Sequence, residues 1–215
     1  MSERIGDWEQ TYTGRKWFPL DPRPEDVFLI DIAHPLSQQC RFGGHCSGFY
    51  SVAEHSVRVS YLVEQLHAEA VPEGTQTRRM LALWGLLHDA AEAYLLDFVR
   101  PMKRQSDLGA IYRKVEAQNM AAICLHFGLP LKEPDTVNYA DNVLLATEKR
   151  DLMAPEPEPW APLPEPLPQV IVPWMPERAE QAFLARFTEL TNWYPFAHGR
   201  FVPDPQHAKA VQRGC

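Results

Sequence analysis

Three polar side chains stand close together in an otherwise apolar stretch near the middle of the chain. His88 and Asp89 are adjacent, and Glu92 follows three residues later. Residues 81–87, just before them, are apolar almost all round, as expected for a helix at the centre of a domain. Burying a histidine and two carboxylates there costs several kcal/mol unless each finds a partner. A divalent metal ion is one such partner, and a hydrogen-bonded His-Asp pair within the core is the other.

Two further segments each place a metal-ligand type on an apolar helical face. Ser51 and Glu54 have the S-x-x-E spacing of a capping box, so a helix is predicted to begin at Ser51. His55 heads a row of apolar residues with helical spacing in that helix, and Asp141 lies on the apolar side of a helical pattern over 137–148. A buried, hydrogen-bonded histidine would explain His55 alone. Three segments with inward-facing ligand types instead indicate one shared metal site.

The order His55, then His88-Asp89, then Asp141 resembles the H…HD…D signature of the HD-domain metal-dependent phosphohydrolases. The resemblance covers roughly residues 30–152, and the residues around each ligand are similar as well. It implies an all-α, single-domain, HD-type helical bundle with four metal ligands, two histidines and two aspartates.

Within this superfamily the pattern is most similar to bacterial 5′-deoxynucleotidases and small phage-type deoxynucleoside triphosphate triphosphohydrolases. Those proteins carry an Arg-aromatic pair before the first histidine, here Arg41-Phe42. They often have an acidic residue and a Pro-x-Lys run after the His-Asp pair, here Asp97 and the run from Pro101 to Lys103. The resemblance implies hydrolysis of a deoxynucleotide, either at a 5′-monophosphate or between sugar and triphosphate. Many nucleotidase relatives have Trp rather than Phe beside the arginine, so base stacking here is expected to be weaker or differently shaped.

The predicted ligand set leaves positions for water and substrate around one divalent ion, whether Mn, Co, Zn or Mg. Such an ion would bind a phosphate oxygen and lower the pKa of a coordinated water toward ~7. Glu92 lies one helical turn after His88, and the resemblance assigns it acid-base chemistry. The alternatives for Glu92 are a surface salt bridge or a hydrogen bond to His88. Asp97 either orients a water or the sugar, or is a turn or cap residue.

Three residues are candidates for substrate binding. The Arg41 guanidinium suits a phosphate or sugar oxygen, and the glycines after it permit close approach to a ligand. Phe42 either stacks on a base or packs in the core. Lys103 either meets a phosphate tail or is solvated. The open alternatives for function are a second-messenger hydrolase, a cyclic-nucleotide phosphodiesterase and a non-catalytic nucleotide sensor.

The overall charge restricts the class of partner. The 215-residue chain has 21 basic and 28 acidic residues, a formal net charge of −7, and so lacks the basic surface that duplex nucleic acid requires. Its four cysteines form no C-x-x-C pair, which favours a reducing compartment. No apolar run approaches the ~18–20 residues needed to span a bilayer. We therefore expect a cytoplasmic protein with a small-molecule nucleotide substrate and no membrane partner.

Four parts are predicted along the chain: an irregular N-terminal arm (1–29), an HD-type helical core (30–153), a Pro-rich segment (154–176), and a C-terminal helix and tail (177–215). The Pro-rich segment contains nine of the chain's twenty prolines, so it cannot continue a helix. Longer helices are predicted over about 51–69, 76–96, 107–127, 134–153 and 177–193. The tail after residue 195 is expected to be irregular. The resemblance implies a homo-oligomer.

Overall fold

The computed structural model describes residues 3–68, 72, 74–193, 196–197 and 200–201. Within them the helices are α1 (Leu29–Gln38), α2 (Val52–Leu66), α3 (Gln76–Leu87), α4 (Glu92–Leu95), α5 (Arg100–Gln105), α6 (Asp107–Phe127), α7 (Asp135–Leu152) and α8 (Pro176–Thr191). Two short antiparallel pairs accompany them, β1 (Glu9–Gln10) with β2 (Lys16–Trp17) and β3 (Phe196–Ala197) with β4 (Arg200–Phe201). The predicted all-α, single-domain architecture is confirmed. The prediction for the tail lies largely outside the described residues.

Helix α2 lies at the centre of the bundle, because it packs against α1, α3, α7 and α8. Most of its residues are buried, and these include polar side chains at His55, Ser56 and Ser60. Ser60 donates its hydroxyl to the carbonyl oxygen of Ala82 in α3 at 2.8 Å, so that polar atom is satisfied inside the core. A central helix that carries polar residues on a buried face is well placed to support a functional site.

The predicted start of α2 is confirmed. Ser51 is the N-cap, and its hydroxyl accepts a hydrogen bond from the Glu54 backbone N–H at 3.1 Å. The Glu54 carboxylate does not return to Ser51 as a full capping box requires. It accepts hydrogen bonds from Arg58 at 2.7 Å and from the Trp174 backbone N–H at 2.7 Å. Glu54 therefore attaches the end of the Pro-rich segment to α2.

The single helix predicted over 76–96 is wrong. Helix α3 ends at Leu87, a tight turn follows, and α4 begins only at Glu92. Backbone hydrogen bonds of the i to i+3 type replace the helical ones here, from Ala90 N–H to Leu87 and from Glu92 N–H to Asp89. Successive residues of a regular α-helix point about 100° apart. His88 and Asp89 lie in this turn, and their side chains nevertheless meet, with Asp89 Oδ2 3.2 Å from the His88 Nε2 atom.

The N-terminal arm supports α4 from the outside. Its course is largely irregular, as predicted, with the β1–β2 pair and a short 3-10 helix at Pro24–Asp26 as its regular parts. Trp17 at the end of β2 is fully buried, and its indole N–H donates to Asn119 in α6 at 2.9 Å. The Trp17 ring also stacks on Tyr94 of α4 at a centroid distance of 4.0 Å. The arm is thus part of the core that holds the segment after His88.

Among the described residues, no helix is long and apolar enough to cross a membrane. Helix α6 is the longest, and it ends at the left-handed Gly128 as predicted from its sequence.

The close approach of α2 and α3 gives a stability prediction at Gly85. A Cβ at this position would meet the Ser60 Cα and a Val63 methyl, each at 3.2 Å. Gly85→Ala should therefore lower the free energy of unfolding by about 1–3 kcal/mol through overpacking, measured by urea denaturation. Gly48→Ala is the matched control, because a Cβ there meets nothing within 4 Å. Equal stability of both variants would mean that α2 and α3 separate without penalty.

Candidate metal centre

The four predicted metal ligands come from three elements of the bundle. His55 lies in the first turns of α2, His88 and Asp89 form the turn after α3, and Asp141 lies in the first half of α7. One ligand atom from each of His55, His88 and Asp89 lies within 4.8 Å of the others, as in a group able to hold a metal ion. The structure therefore brings together residues that are up to 34 positions apart in the sequence, counting from 55 to 89.

Asp141 joins this group through His55. The His55 Nε2 atom lies 3.2 Å from Asp141 Oδ1 and 3.3 Å from the His88 Nε2 atom. Asp89 Oδ2 lies 3.2 Å from the His88 Nε2 atom on the other side. The second carboxylate oxygen of Asp141 accepts a hydrogen bond from Arg100 at 3.2 Å. Asp141 thus places one oxygen against His55, beside the three-residue group, and the other against Arg100.

Both histidines are fixed through their Nδ1 atoms. His55 Nδ1 lies 2.5 Å from the Glu148 carboxylate, and His88 Nδ1 lies 2.9 Å from the Gly85 carbonyl oxygen. Both partners are acceptors, so each Nδ1 carries a proton, and whenever a ring is neutral its Nε2 carries a lone pair. Two nitrogen lone pairs 3.3 Å apart repel each other unless a cation, either a proton or a metal ion, lies between them. The donor set and its outer hydrogen bonds therefore fit a divalent ion.

The electrostatics of the group favour a cation as well. Burial alone lowers the pKa of His88, but the charge and hydrogen bond of Asp89 raise it to about 10. Burial and Arg41 also lower the pKa of His55, and Glu148 and Asp141 raise it above its usual value. The pKa values of Asp89 and Asp141 stay below their usual range, because the histidines outweigh the effect of burial. Ionised aspartates between two histidines attract positive charge.

Glu148 is a site residue to which the sequence analysis assigned no role. It is fully buried in α7, and its two oxygens contact His55 Nδ1 at 2.5 Å and Arg41 at 3.1 Å. A carboxylate behind a metal-binding histidine fixes the ring and raises its basicity. A signal was present, because Glu148 follows Asp141 by two helical turns and lies on the same face of α7.

Arg41 lies against this group from the side of α1. Its Nη1 atom is 3.5 Å from Asp89 and its Nη2 atom is 3.1 Å from Glu148. Only 9% of Arg41 is exposed, and its guanidinium carbon lies 5.4 Å from the centre of the Phe42 ring. Phe42 and the two glycines that follow have positive φ angles, so this turn needs the freedom that glycine supplies.

Glu92 is a buried acid close to the candidate metal group. It is 3% exposed, so a surface salt bridge does not account for it. Its Oε1 accepts a hydrogen bond from Lys103 at 3.2 Å rather than from His88, and its Oε2 is buried without a hydrogen-bond partner. Burial raises the pKa of Glu92 well above its usual value, and the charges of Asp89 and Asp97 raise it further. A carboxyl group of this kind keeps its proton to a higher pH than an ordinary glutamate.

Two further candidates are placed near Glu92. Lys103 in α5 is half-buried, and its ammonium group lies 3.2 Å from Glu92 and 2.7 Å from Glu116. The Asp97 backbone N–H donates to the Gln39 side chain, whose amide group donates in turn to the Glu92 carbonyl oxygen. Gln39 therefore ties Asp97 to the first residue of α4. The predicted catalytic and substrate-binding residues thus line one region, and their roles stay predictions.

Fold and site define an all-α domain with a buried His-Asp group that could hold a metal ion. The chain is 36% identical over 187 residues to the uncharacterized protein YfdR of Escherichia coli (strain K12), covering 85% of this chain and 95% of that protein. It therefore belongs to the family of YfdR. It is also 39% identical over 135 residues to an uncharacterized protein of Rhodobacter capsulatus, RCAP_rcc00048, covering 62% of this chain and 64% of that protein. No family model matches the chain.

The contact between Glu148 and His55 gives a prediction for metal affinity. Glu148→Gln keeps the shape of the side chain and removes the charge behind the histidine, so we expect Mn²⁺ to bind about 10–100-fold more weakly. Isothermal titration with Mn²⁺ measures this. Glu116→Gln is the control, because Glu116 contacts Lys103 rather than a histidine. Unchanged affinity in Glu148→Gln would show that this carboxylate does not support a ligand.

Proposed function

We propose that this protein is an HD-type, divalent-metal-dependent phosphohydrolase that acts on deoxynucleotides. One observation carries the proposal: one ligand atom from each of His55, His88 and Asp89 lies within 4.8 Å of the others, and Asp141 Oδ1 lies 3.2 Å from the His55 Nε2 atom. A buried glutamate with an unpaired oxygen stands in the same region of the structure. This combination supplies a place for a metal ion and a group for proton transfer, the two requirements of metal-dependent phosphoester hydrolysis.

The metal ligands in this proposal are His55, His88, Asp89 and Asp141. When bound, a divalent ion supplies a Lewis acid for a phosphate oxygen and makes a bound water more acidic. The chain's own contribution is orientation. Glu148 and the Gly85 carbonyl hold the two imidazole rings so that both Nε2 atoms face the same point.

Glu92 is the proposed acid-base residue. Hydrolysis of a phosphoester needs a proton at the leaving oxygen, and a carboxyl group with a raised pKa keeps its proton to a higher pH than an ordinary carboxyl group. Lys103 fixes Oε1, and Oε2 is left without a protein partner. We therefore assign proton transfer to Oε2 of Glu92. Asp97 supports this assignment, because its charge raises the pKa of Glu92 further.

The substrate class rests on Arg41 and Phe42 together with the resemblance described above. Arg41 lies beside Asp89, and Phe42 follows it in the same turn. In the proposed complex Arg41 contacts a phosphate or sugar oxygen and Phe42 contacts the base. We further propose that the protein works in the cytoplasm as a homo-oligomer, with small-molecule nucleotides rather than duplex nucleic acid as its partners.

A substrate panel tests the proposal. Deoxynucleoside mono- and triphosphates, ribonucleotides, cyclic nucleotides and guanosine-type second messengers should be assayed with Mn²⁺, Co²⁺, Mg²⁺ and Zn²⁺. We expect release of inorganic phosphate from deoxynucleoside monophosphates, or of triphosphate from deoxynucleoside triphosphates. Turnover of cyclic nucleotides or second messengers alone would make the protein a different phosphohydrolase. Tight nucleotide binding without turnover under any metal would make it a sensor.

A further inference from the structure

Three cationic side chains surround the candidate metal centre; each contacts a protein carboxylate, and two of them do so with little of the side chain exposed. The guanidinium group of Arg41 lies between Asp89 and Glu148, with 11% of its side chain exposed. The ammonium group of Lys103 lies between Glu92 and Glu116, with 22% of its side chain exposed. In both cases an incoming anion would have to share the cation with carboxylates that are themselves largely buried.

Arg100 is the third cation, and its surroundings differ. Its Nη2 atom contacts Asp141 Oδ2 at 3.2 Å, and its Nη1 atom contacts the Asn142 side-chain oxygen at 3.3 Å. Its side chain is 39% exposed, more than that of either other cation. One edge of the guanidinium therefore rests on a proposed metal ligand, while a large part of the side chain meets solvent. A solvent-facing cation beside the metal ligands is the one that an incoming anion meets first.

The segment that joins α4 to α5 positions Arg100. It has a strained backbone at one residue and is held by two hydrogen bonds. Leu96, at the end of α4, has a φ of 68° and a ψ of 156°, a conformation that side chains other than glycine rarely adopt. The Tyr112 hydroxyl donates to the Leu96 carbonyl oxygen at 2.5 Å, and Gln39 accepts from the Asp97 N–H at 3.0 Å. These two contacts fix the position of residues 96–99, so α5 begins with Arg100 beside Asp141.

The charge of the site explains why such a cation is needed. Asp89, Asp141 and Asp97 raise the pKa values of neighbouring groups, among them His88, Glu92 and Glu133, so these carboxylates place negative charge at the site. A phosphate dianion approaching this region is repelled unless positive charge meets it. A planar guanidinium suits a phosphate group better than an ammonium does, because its N–H donors can pair with two oxygens at once.

We infer that Arg100 is a substrate-binding residue that holds the nucleotide's phosphate group at the outer edge of the metal centre. The inference rests on the proposed function and adds to it the residue that selects phosphorylated over unphosphorylated nucleosides. Arg100 exchanges part of its contact with Asp141 and Asn142 for the phosphate. It contributes to binding more than to the chemical step, so its loss appears mainly in KM.

The test compares Arg100→Met and Arg100→Lys with the parent in the Mn²⁺-loaded, full-length protein. We expect Arg100→Met to raise KM for the best deoxynucleotide ~10–100-fold with a smaller change in kcat, as for loss of a hydrogen bond to a charged group. Arg100→Lys keeps the positive charge but lacks the paired N–H donors of the guanidinium. It should therefore recover part of the lost substrate affinity. Arg104→Met is the matched control, because it removes an exposed arginine from the same short helix.

Two readouts other than turnover separate this inference from the proposed function. Metal content should stay at the parent level in Arg100→Met, and inorganic phosphate should bind it ~10-fold or more weakly by calorimetry, again as for loss of a charged hydrogen bond. If the parent turns over no deoxynucleotide, the proposed function fails, and the phosphate titration alone decides the role of Arg100. An unchanged KM and phosphate affinity, or a loss of metal that accounts for the whole effect, overturns the inference. So does a parent protein that does not bind phosphate.

Discussion

Asp89→Asn is expected to abolish both metal binding and hydrolysis. The Asp89 carboxylate lies 3.2 Å from the His88 Nε2 atom and 3.5 Å from Arg41, so it is both a proposed ligand and the counter-charge of its neighbours. An amide keeps the shape but removes the charge, and it leaves Arg41 with less compensation inside the core. Activity and Mn²⁺ affinity should fall by more than the ~10–100-fold that is typical when a residue hydrogen-bonded to a metal ligand is lost. Metal analysis after dialysis and the deoxynucleotide assay measure both.

Asp135→Asn is the control for this substitution. Asp135 begins α7, the helix that carries Asp141, and its side chain is 97% exposed. This variant should keep the parent's metal content and turnover. Circular dichroism of Asp89→Asn should show the parent's helical content, so that a folding defect is not mistaken for a lost ligand. A folded Asp89→Asn protein with full metal content and activity would exclude Asp89 from the ligand set.

The sequence was sufficient for features that depend on local spacing. The N-cap at Ser51, the end of α6 at Gly128 and the helical face that carries His55 all follow from patterns a few residues long. Hydrophobic periodicity placed His55 in the core, and the structure leaves its side chain fully buried. His55 and Asp141 stand out as polar residues on apolar helical faces and His88-Asp89 as a polar pair after an apolar segment, and the resemblance joins them into one predicted ligand set.

Features that depend on tertiary contacts could not be predicted. The break after Leu87 is invisible to periodicity, because the apolar pattern continues through the turn while the hydrogen bonds change type. Lys103 and Glu116 form an ion pair across two helices, and Arg100 reaches Asp141 from another element. No local spacing links residues that meet only after the chain has folded. The sequence therefore indicated which residues can ligate a metal, but not which oppositely charged side chains lie beside the site.

A substitution of Glu92 can separate metal binding from the chemical step. Glu92→Gln should keep the metal ion and still bind a deoxynucleotide, because the Glu92 carboxylate pairs with Lys103 and contacts neither histidine. Turnover should fall by about 10²–10⁴, the usual contribution of a positioned acid or base. The glutamine keeps the shape of the side chain but cannot exchange a proton at Oε2. Measurements of kcat, nucleotide affinity and metal content on one preparation test all three statements.

Glu116→Gln is the companion variant, because Glu116 shares Lys103 with Glu92. It disturbs the same ammonium group without removing the proposed proton donor, so a smaller loss of kcat than in Glu92→Gln assigns the effect to the Glu92 carboxyl group itself. Equal losses in the two variants would mean that Lys103, rather than Glu92, governs the rate. Parent-like turnover in Glu92→Gln would transfer the acid-base role to another group, with Asp97 the next candidate. Loss of the ion from Glu92→Gln would instead place this carboxylate among the metal ligands, and the set of His55, His88, Asp89 and Asp141 would be incomplete.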